Sequence, residues 1–118
     1  MCIRDSLYSA FHPAVLQALQ HVVSQARLEN KSVSICGEMA GDPGAAILLM
    51  AMGFDVLSMN ASSLLRVKSV IRDVSLKSAK NLLDQVLVMD DPQLIKSAVD
   101  LTLYNAGVDR LLRSSRAN

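Results

Sequence analysis

Two short β-branched stretches with one helix-patterned segment between them constrain this chain most. The first is Ser32-Val33-Ser34-Ile35-Cys36, and the second is Phe54-Asp55-Val56-Leu57-Ser58-Met59. Strand, helix, strand at this spacing implies parallel pairing through a crossover. Two parallel strands leave two open edges, and a parallel sheet needs cover on both faces. The pattern therefore describes a piece of a larger α/β sheet or barrel.

The first strand leads into Gly37-Glu38-Met39-Ala40-Gly41-Asp42-Pro43, read as a glycine-bracketed loop and a helix start. Period-two alternation puts Ser34 and Cys36 on one face and Val33 and Ile35 on the other. Gly37 and Gly41 suit unusual backbone conformations. Asp42 is a good N-cap, and Pro43 suits the first helical position. A thiol thus stands at the carboxyl end of a strand, where chemistry gathers in parallel α/β folds.

Helical spacing supplies the remaining elements. A helix starts at His12-Pro13 and carries the stripe Val15, Leu16, Leu19, Val22, Val23, Ala26. His12 is placed to bond the helix start, and His21 reads as a surface residue; neither has a partner at metal-ligand spacing. Pro43 to Met52 is apolar nearly all round, closes at Gly53, and so demands neighbours on more than one side. Asn60-Ala61-Ser62-Ser63 reads as a loop before a helix from Leu64 to Asp73. Ser75 caps a helix to about Val88, and the last long helix runs from Pro92 to about Asn105. Val108 to Leu112 adds a turn, and Arg113 to Asn118 frays.

The order is α-β-α-β-α-α-α. Two parallel strands and about five helices make it an α/β chain of the kind that ends a (β/α)8 TIM-type barrel, incomplete as a stand-alone fold. A whole barrel needs roughly 250 residues, and this chain has 118. Residues 1-6 show no period and are read as a non-native leader, with no function given to Cys2. Residues 7-118 are read as the barrel's C-terminal part with a helical tail.

Composition removes several function classes. A formal net charge of +1 gives no electrostatic case for nucleic acid or an acidic membrane surface. Aromatic residues make up 3% of the chain, too few for base-stacking platforms. Two cysteines do not make a disulfide framework. The longest nearly apolar run, Gly44 to Phe54, falls short of the roughly 20 residues that span a membrane. A reducing cytoplasm is the expected location.

Three separated motifs resemble one family. His12-Pro13-Ala14-Val15-Leu16, then Cys36-Gly37-Glu38-Met39-Ala40-Gly41-Asp42-Pro43, then Met52-Gly53-Phe54-Asp55 with Leu57-Ser58-Met59-Asn60 and Arg66-Val67-Lys68, are similar to the C-terminal end of enzyme I of the bacterial phosphotransferase system. The Ser34-to-Pro43 wording and the helical tail look most like the nitrogen-regulatory form. The resemblance implies a (β/α)8 barrel that binds phosphoenolpyruvate (PEP) and magnesium and forms a homodimer. It implies a phosphoryl-accepting histidine in another domain and an HPr-like phosphocarrier as partner, with pyruvate released.

The same resemblance makes Cys36 the proton donor to the pyruvate enolate. A thiol, mostly protonated near neutral pH, can act as general acid. The family's phosphate-gripping arginines, magnesium ligands and phosphohistidine lie upstream of this chain, so the isolated chain is expected to be inactive. Glu38 has no assigned role, and Asp42 is read as a cap. One departure lies inside the motifs: Leu65 stands where the family usually has proline. Two other readings are weighed beside this one. A dikinase or PEP synthase-type enzyme shares the Cys-Gly-Glu and Gly-Asp-Pro motifs. A non-catalytic docking or dimerisation module would use the apolar Ala45 to Met52 helix and the open strand edges.

Overall fold

The computed structural model describes residues 11–107. The leader, the turn after Gly107 and the tail expected at Arg113 lie outside the described residues. Eight elements follow in order: α1 (Pro13–Leu28), β1 (Ser34–Cys36), α2 (Glu38–Gly41), α3 (Pro43–Met52), β2 (Val56–Ser58), α4 (Ala61–Asp73), α5 (Leu76–Val86) and α6 (Pro92–Asn105). The chain is a helix-rich α/β unit, with both strands in one parallel sheet.

Local chemistry starts most of the helices as expected. His12 Nδ1 accepts a hydrogen bond from the Ala14 amide at 3.1 Å, ahead of Pro13 at the first helical position. Asp42 Oδ1 accepts from the amides of Gly44 and Ala45 and opens α3. Ser75 caps α5 through the Ser78 amide, and Asp91 caps α6 through the Gln93 amide.

Both strands are shorter than expected, α5 stops at Val86 and not near Val88, and two further differences bear on the site. The segment after Gly37 is a four-residue helix, α2, and not only a loop. The second is α4, which begins at Ala61, three residues before the expected Leu64, with Asn60 as a cap that makes no side-chain hydrogen bond. Leu65 permits the earlier start. As the fifth helical residue, its N–H is directed to the Ala61 carbonyl by helical geometry, a bond that proline cannot make. Leu65 is 77% exposed, so it serves the backbone more than the core.

The core is built around α3. Gly44, Ala45, Ala46, Ile47, Leu48, Leu49, Ala51 and Met52 are all buried, and only Met50 on its last two turns is partly exposed. Its neighbours come from this chain: α5 contacts it most, and α1, α2, α4 and α6 pack on the rest. The helix thus is not a free docking face. Burying a single Ile or Leu is worth about 1.5–3 kcal/mol, so Ile47, Leu48 and Leu49 together rival the whole stability of a small domain, about 5–15 kcal/mol.

The outer helices are covered on narrower strips. On α1, Leu16 and Val23 are buried, whereas Val22 is 52% exposed. Val22 lies at the margin of the stripe, beyond the strip of α1 that meets α3. On α6, Ile95, Val99 and Leu103 face the core, while Leu94, one residue from Ile95, and Leu101, two residues from both Val99 and Leu103, turn away from it and are exposed. On α4, Val67 and Val70 are buried and Leu64 is half exposed. Leu64 and Ile71 line an apolar groove of about 560 Å³ with Met50, Phe54, Leu57 and Met59.

Candidate functional site

The strand pair presents two chemically opposite faces. Register partners are Ser34 with Val56, Ile35 with Leu57, and Cys36 with Ser58. Val33, Ile35 and Leu57 pack on the core. Ser34, Cys36, Val56 and Ser58 are exposed on the other face. The alternation expected for β1 is therefore present, and β2 continues it in phase. Among the described residues, helices cover one face only, and each strand has one unpaired edge.

Cys36 is the last residue of β1 and is an exposed free thiol. Its position is set by the turn behind it. Gly37 has φ +110° and ψ −165°, a conformation that residues with a Cβ resist. The space around it is open, so the requirement at Gly37 is conformational and not steric. Gly41 is needed for the opposite reason. Its backbone φ is not in the left-handed region, but a Cβ there would lie 3.0 Å from Ser63 Oγ and 3.1 Å from Ser63 Cβ. Gly41 thus lets α2 approach α4 closely.

The remaining candidates separate from the thiol. Glu38 opens α2 and lines a polar cavity of about 410 Å³ with Asp42, Asn60, Arg66, Lys96 and Asp100. Cys36 is not among the lining residues of that cavity. Within it Lys96 Nζ pairs with Asp100 Oδ2 at 3.3 Å, both well exposed, a pairing worth about 0.3–0.5 kcal/mol at such spacing. Asp42 caps α3 through Oδ1. His12 caps α1 and His21 is exposed on the same helix.

Magnesium, the ion that the resemblance implies, finds no donor set here. Among the described residues no three His, Cys, Asp or Glu side chains are grouped to hold a metal ion. No described helix is long and apolar enough to cross a membrane.

One residue on the bare face was not singled out from sequence alone. Ser58 sits across from Cys36, but register is a property of two distant segments. Only the matching small-residue ends of the two strand motifs hinted at it.

Residues 3–76 match the family described as PEP-utilising enzyme, PEP-binding domain. A phosphoenolpyruvate-protein phosphotransferase of Haemophilus influenzae is 43% identical over 81 residues, 69% of this chain and 14% of that protein. A protein of the same name from Cupriavidus necator is 41% identical over 87 residues, 74% of this chain and 15% of that protein. A protein of Escherichia coli named phosphoenolpyruvate-dependent phosphotransferase system is 32% identical over 108 residues, 92% of this chain and 14% of that protein. The chain spans about one-seventh of the length of each of these relatives. With a bare strand face ending in a thiol, and with the family match running through both strands and α4, this chain belongs to the PEP-binding domain family of PEP-utilising enzymes.

Proposed function

We propose that this chain is the C-terminal part of the PEP-binding barrel of a PEP-dependent protein-histidine phosphotransferase, and that Cys36 is its general acid. The observation that carries this reading is the two-sided strand pair. Its helix-covered face is a barrel's outside, and its bare face, ending in Cys36, has the character of a barrel's lumen at the carboxyl rim. The unpaired edges and the apolar groove beside β2 and α4 are what remaining barrel elements would cover. The motif wording and helical tail favour the nitrogen-regulatory form, acting in the cytoplasm as a homodimer with an HPr-like carrier.

The chemistry divides into two steps. The P–O bond of PEP breaks as a histidine nitrogen of another domain takes the phosphoryl group. The enol oxygen keeps the electron pair, and the enolate must gain a proton at its methylene carbon to become pyruvate. The Cys36 S–H supplies that proton, leaving a thiolate that water reprotonates. Magnesium, when bound by residues outside this chain, would offset charge on the phosphate and enolate oxygens. The groups that grip PEP are likewise outside it, so this chain by itself is inactive: one general acid cannot both bind and ionise the substrate.

The test is Cys36→Ala in the full-length protein that contains this chain, with pyruvate release from PEP as readout. A general acid contributes about 10²–10⁴-fold, so pyruvate formation falls by that factor. Unchanged turnover in the variant would overturn the assignment. PEP turnover by the purified 118-residue chain, with contaminating enzyme excluded, would overturn the claim that it is an incomplete part.

A further inference from the structure

The bare strand face holds a second group that the proposed protonation can use. Ser58 is the register partner of Cys36, and both are exposed. Register partners in neighbouring parallel strands point to the same side, with strands about 4.8 Å apart. Cys36 and Ser58 therefore stand side by side at the carboxyl ends of β1 and β2, with no hydrogen bond between their side chains in this structure. Neither is committed to another hydrogen bond among the described residues. The alternatives on that face are weaker. Val56 has no donor, and Ser34 lies two residues back on the same strand, about 6.6 Å away along it.

We infer that Ser58 is a positioning residue for Cys36: its hydroxyl donates a hydrogen bond to the sulfur as the proton leaves. This rests on the general-acid reading above. The S–H bond breaks, the C–H bond forms on the substrate methylene, and the sulfur retains the electron pair as a thiolate. The Ser58 O–H then donates to that thiolate, holding it over the substrate carbon until water returns the proton. A serine hydroxyl suits this role because it turns freely about one bond and serves as donor or acceptor. Hydrogen bonds to a charged partner are stronger than those to a neutral one, so the contact strengthens as the proton moves.

The test needs no PEP, so its failure is separate from failure of the phosphotransferase reading. In a Cys2→Ser background Cys36 is the chain's sole thiol. Its alkylation by iodoacetamide follows the thiolate fraction. Ser58→Ala is expected to slow alkylation at neutral pH about three- to tenfold, the scale of one hydrogen bond, and to move the pH profile of the reaction upward. Ser58→Thr restores both rate and profile, and Ser34→Ala leaves both unchanged. Circular dichroism checks that each variant is folded, as expected for exposed positions. Equal rates in the parent chain and Ser58→Ala overturn the inference, as does a Ser34→Ala effect of the same size or a Ser58→Thr variant as slow as Ser58→Ala.

Discussion

Val33 and Asp55 hold each other twice: the Asp55 amide donates to the Val33 carbonyl at 2.9 Å, and the Val33 amide donates to Asp55 Oδ2 at 2.8 Å. The two bonds sit just ahead of β1 and β2 and extend the ladder by one step. They pin the register at the amino ends of a strand pair only three residues long, and so decide which residue faces Cys36 at the other end. A carboxylate that replaces a main-chain acceptor makes this clamp a side-chain device and not a strand pattern.

Asp55→Ala removes one of the two bonds and leaves the Val33 amide to water. The expected cost is about 1 kcal/mol, since the site is exposed and the bond is charge-assisted. Amide hydrogen exchange across Ser34–Cys36 speeds up, and Asp55→Asn recovers most of the protection because its carbonyl still accepts. Unchanged exchange in Asp55→Ala would show that the register is held elsewhere.

Gly44→Ala tests how tightly α3 meets α6. A Cβ there would lie 2.8 Å from Val99 Cγ1, and Val99 is fully buried with no room to retreat. Overpacking of this kind costs about 1–3 kcal/mol. Urea denaturation with an unchanged slope and a lower midpoint is the expected result. A midpoint equal to or above that of the parent would mean that α6 can slide away.

Leu65→Pro probes the first turn of α4. Proline at the fifth helical position lacks the N–H directed to Ala61, so the helix should start near Leu64, about one turn later. The side chain is exposed, so the change appears as lost helicity by circular dichroism with little loss of core packing. Retained helicity over Ala61 to Leu64 in backbone chemical shifts would contradict this account of the early start.

Cys36→Ala separates chemistry from folding. The thiol is exposed and packs on no buried cluster, so stability should change by no more than about 0.5 kcal/mol. Ile47→Ala, in contrast, should cost about 2–5 kcal/mol because the residue is fully buried in α3. Thermal melts of the two variants should part clearly. A large loss in Cys36→Ala would return the residue to the role of a small core hydrophobe.

Much of this architecture was legible in the residues because caps and stripes are local signals. His12-Pro13, Asp42-Pro43, Ser75 and Asp91-Pro92 each place a helix start through one side chain and its nearest amides. The helix at Glu38–Gly41 was hidden because the two glycines around it read as loop, although Gly41 is there for closeness to Ser63. The start of α4 was hidden because Asn60 makes no side-chain cap bond to mark it. Apolar spacing put Val22 and Leu94 in their stripes, yet spacing cannot say how wide a strip the neighbour covers. In the candidate site, the end-of-strand place of Cys36 followed from a short local pattern. Its pairing with Ser58 depends on where two segments about 20 residues apart come to lie, which no local pattern encodes.

Because α1, α4, α5 and α6 all lean on α3, and α6 leans on α5 as well, the helices are not separable modules. Loss of the middle rod strips every neighbour of a shared support, so the helical body should melt in a single cooperative step. The strand pair answers to a different master. Joined by three register pairs and one reciprocal clamp, it should open and close many times within the lifetime of the intact helical body, so that the rim bearing the thiol is the most readily loosened part of a tightly bound whole.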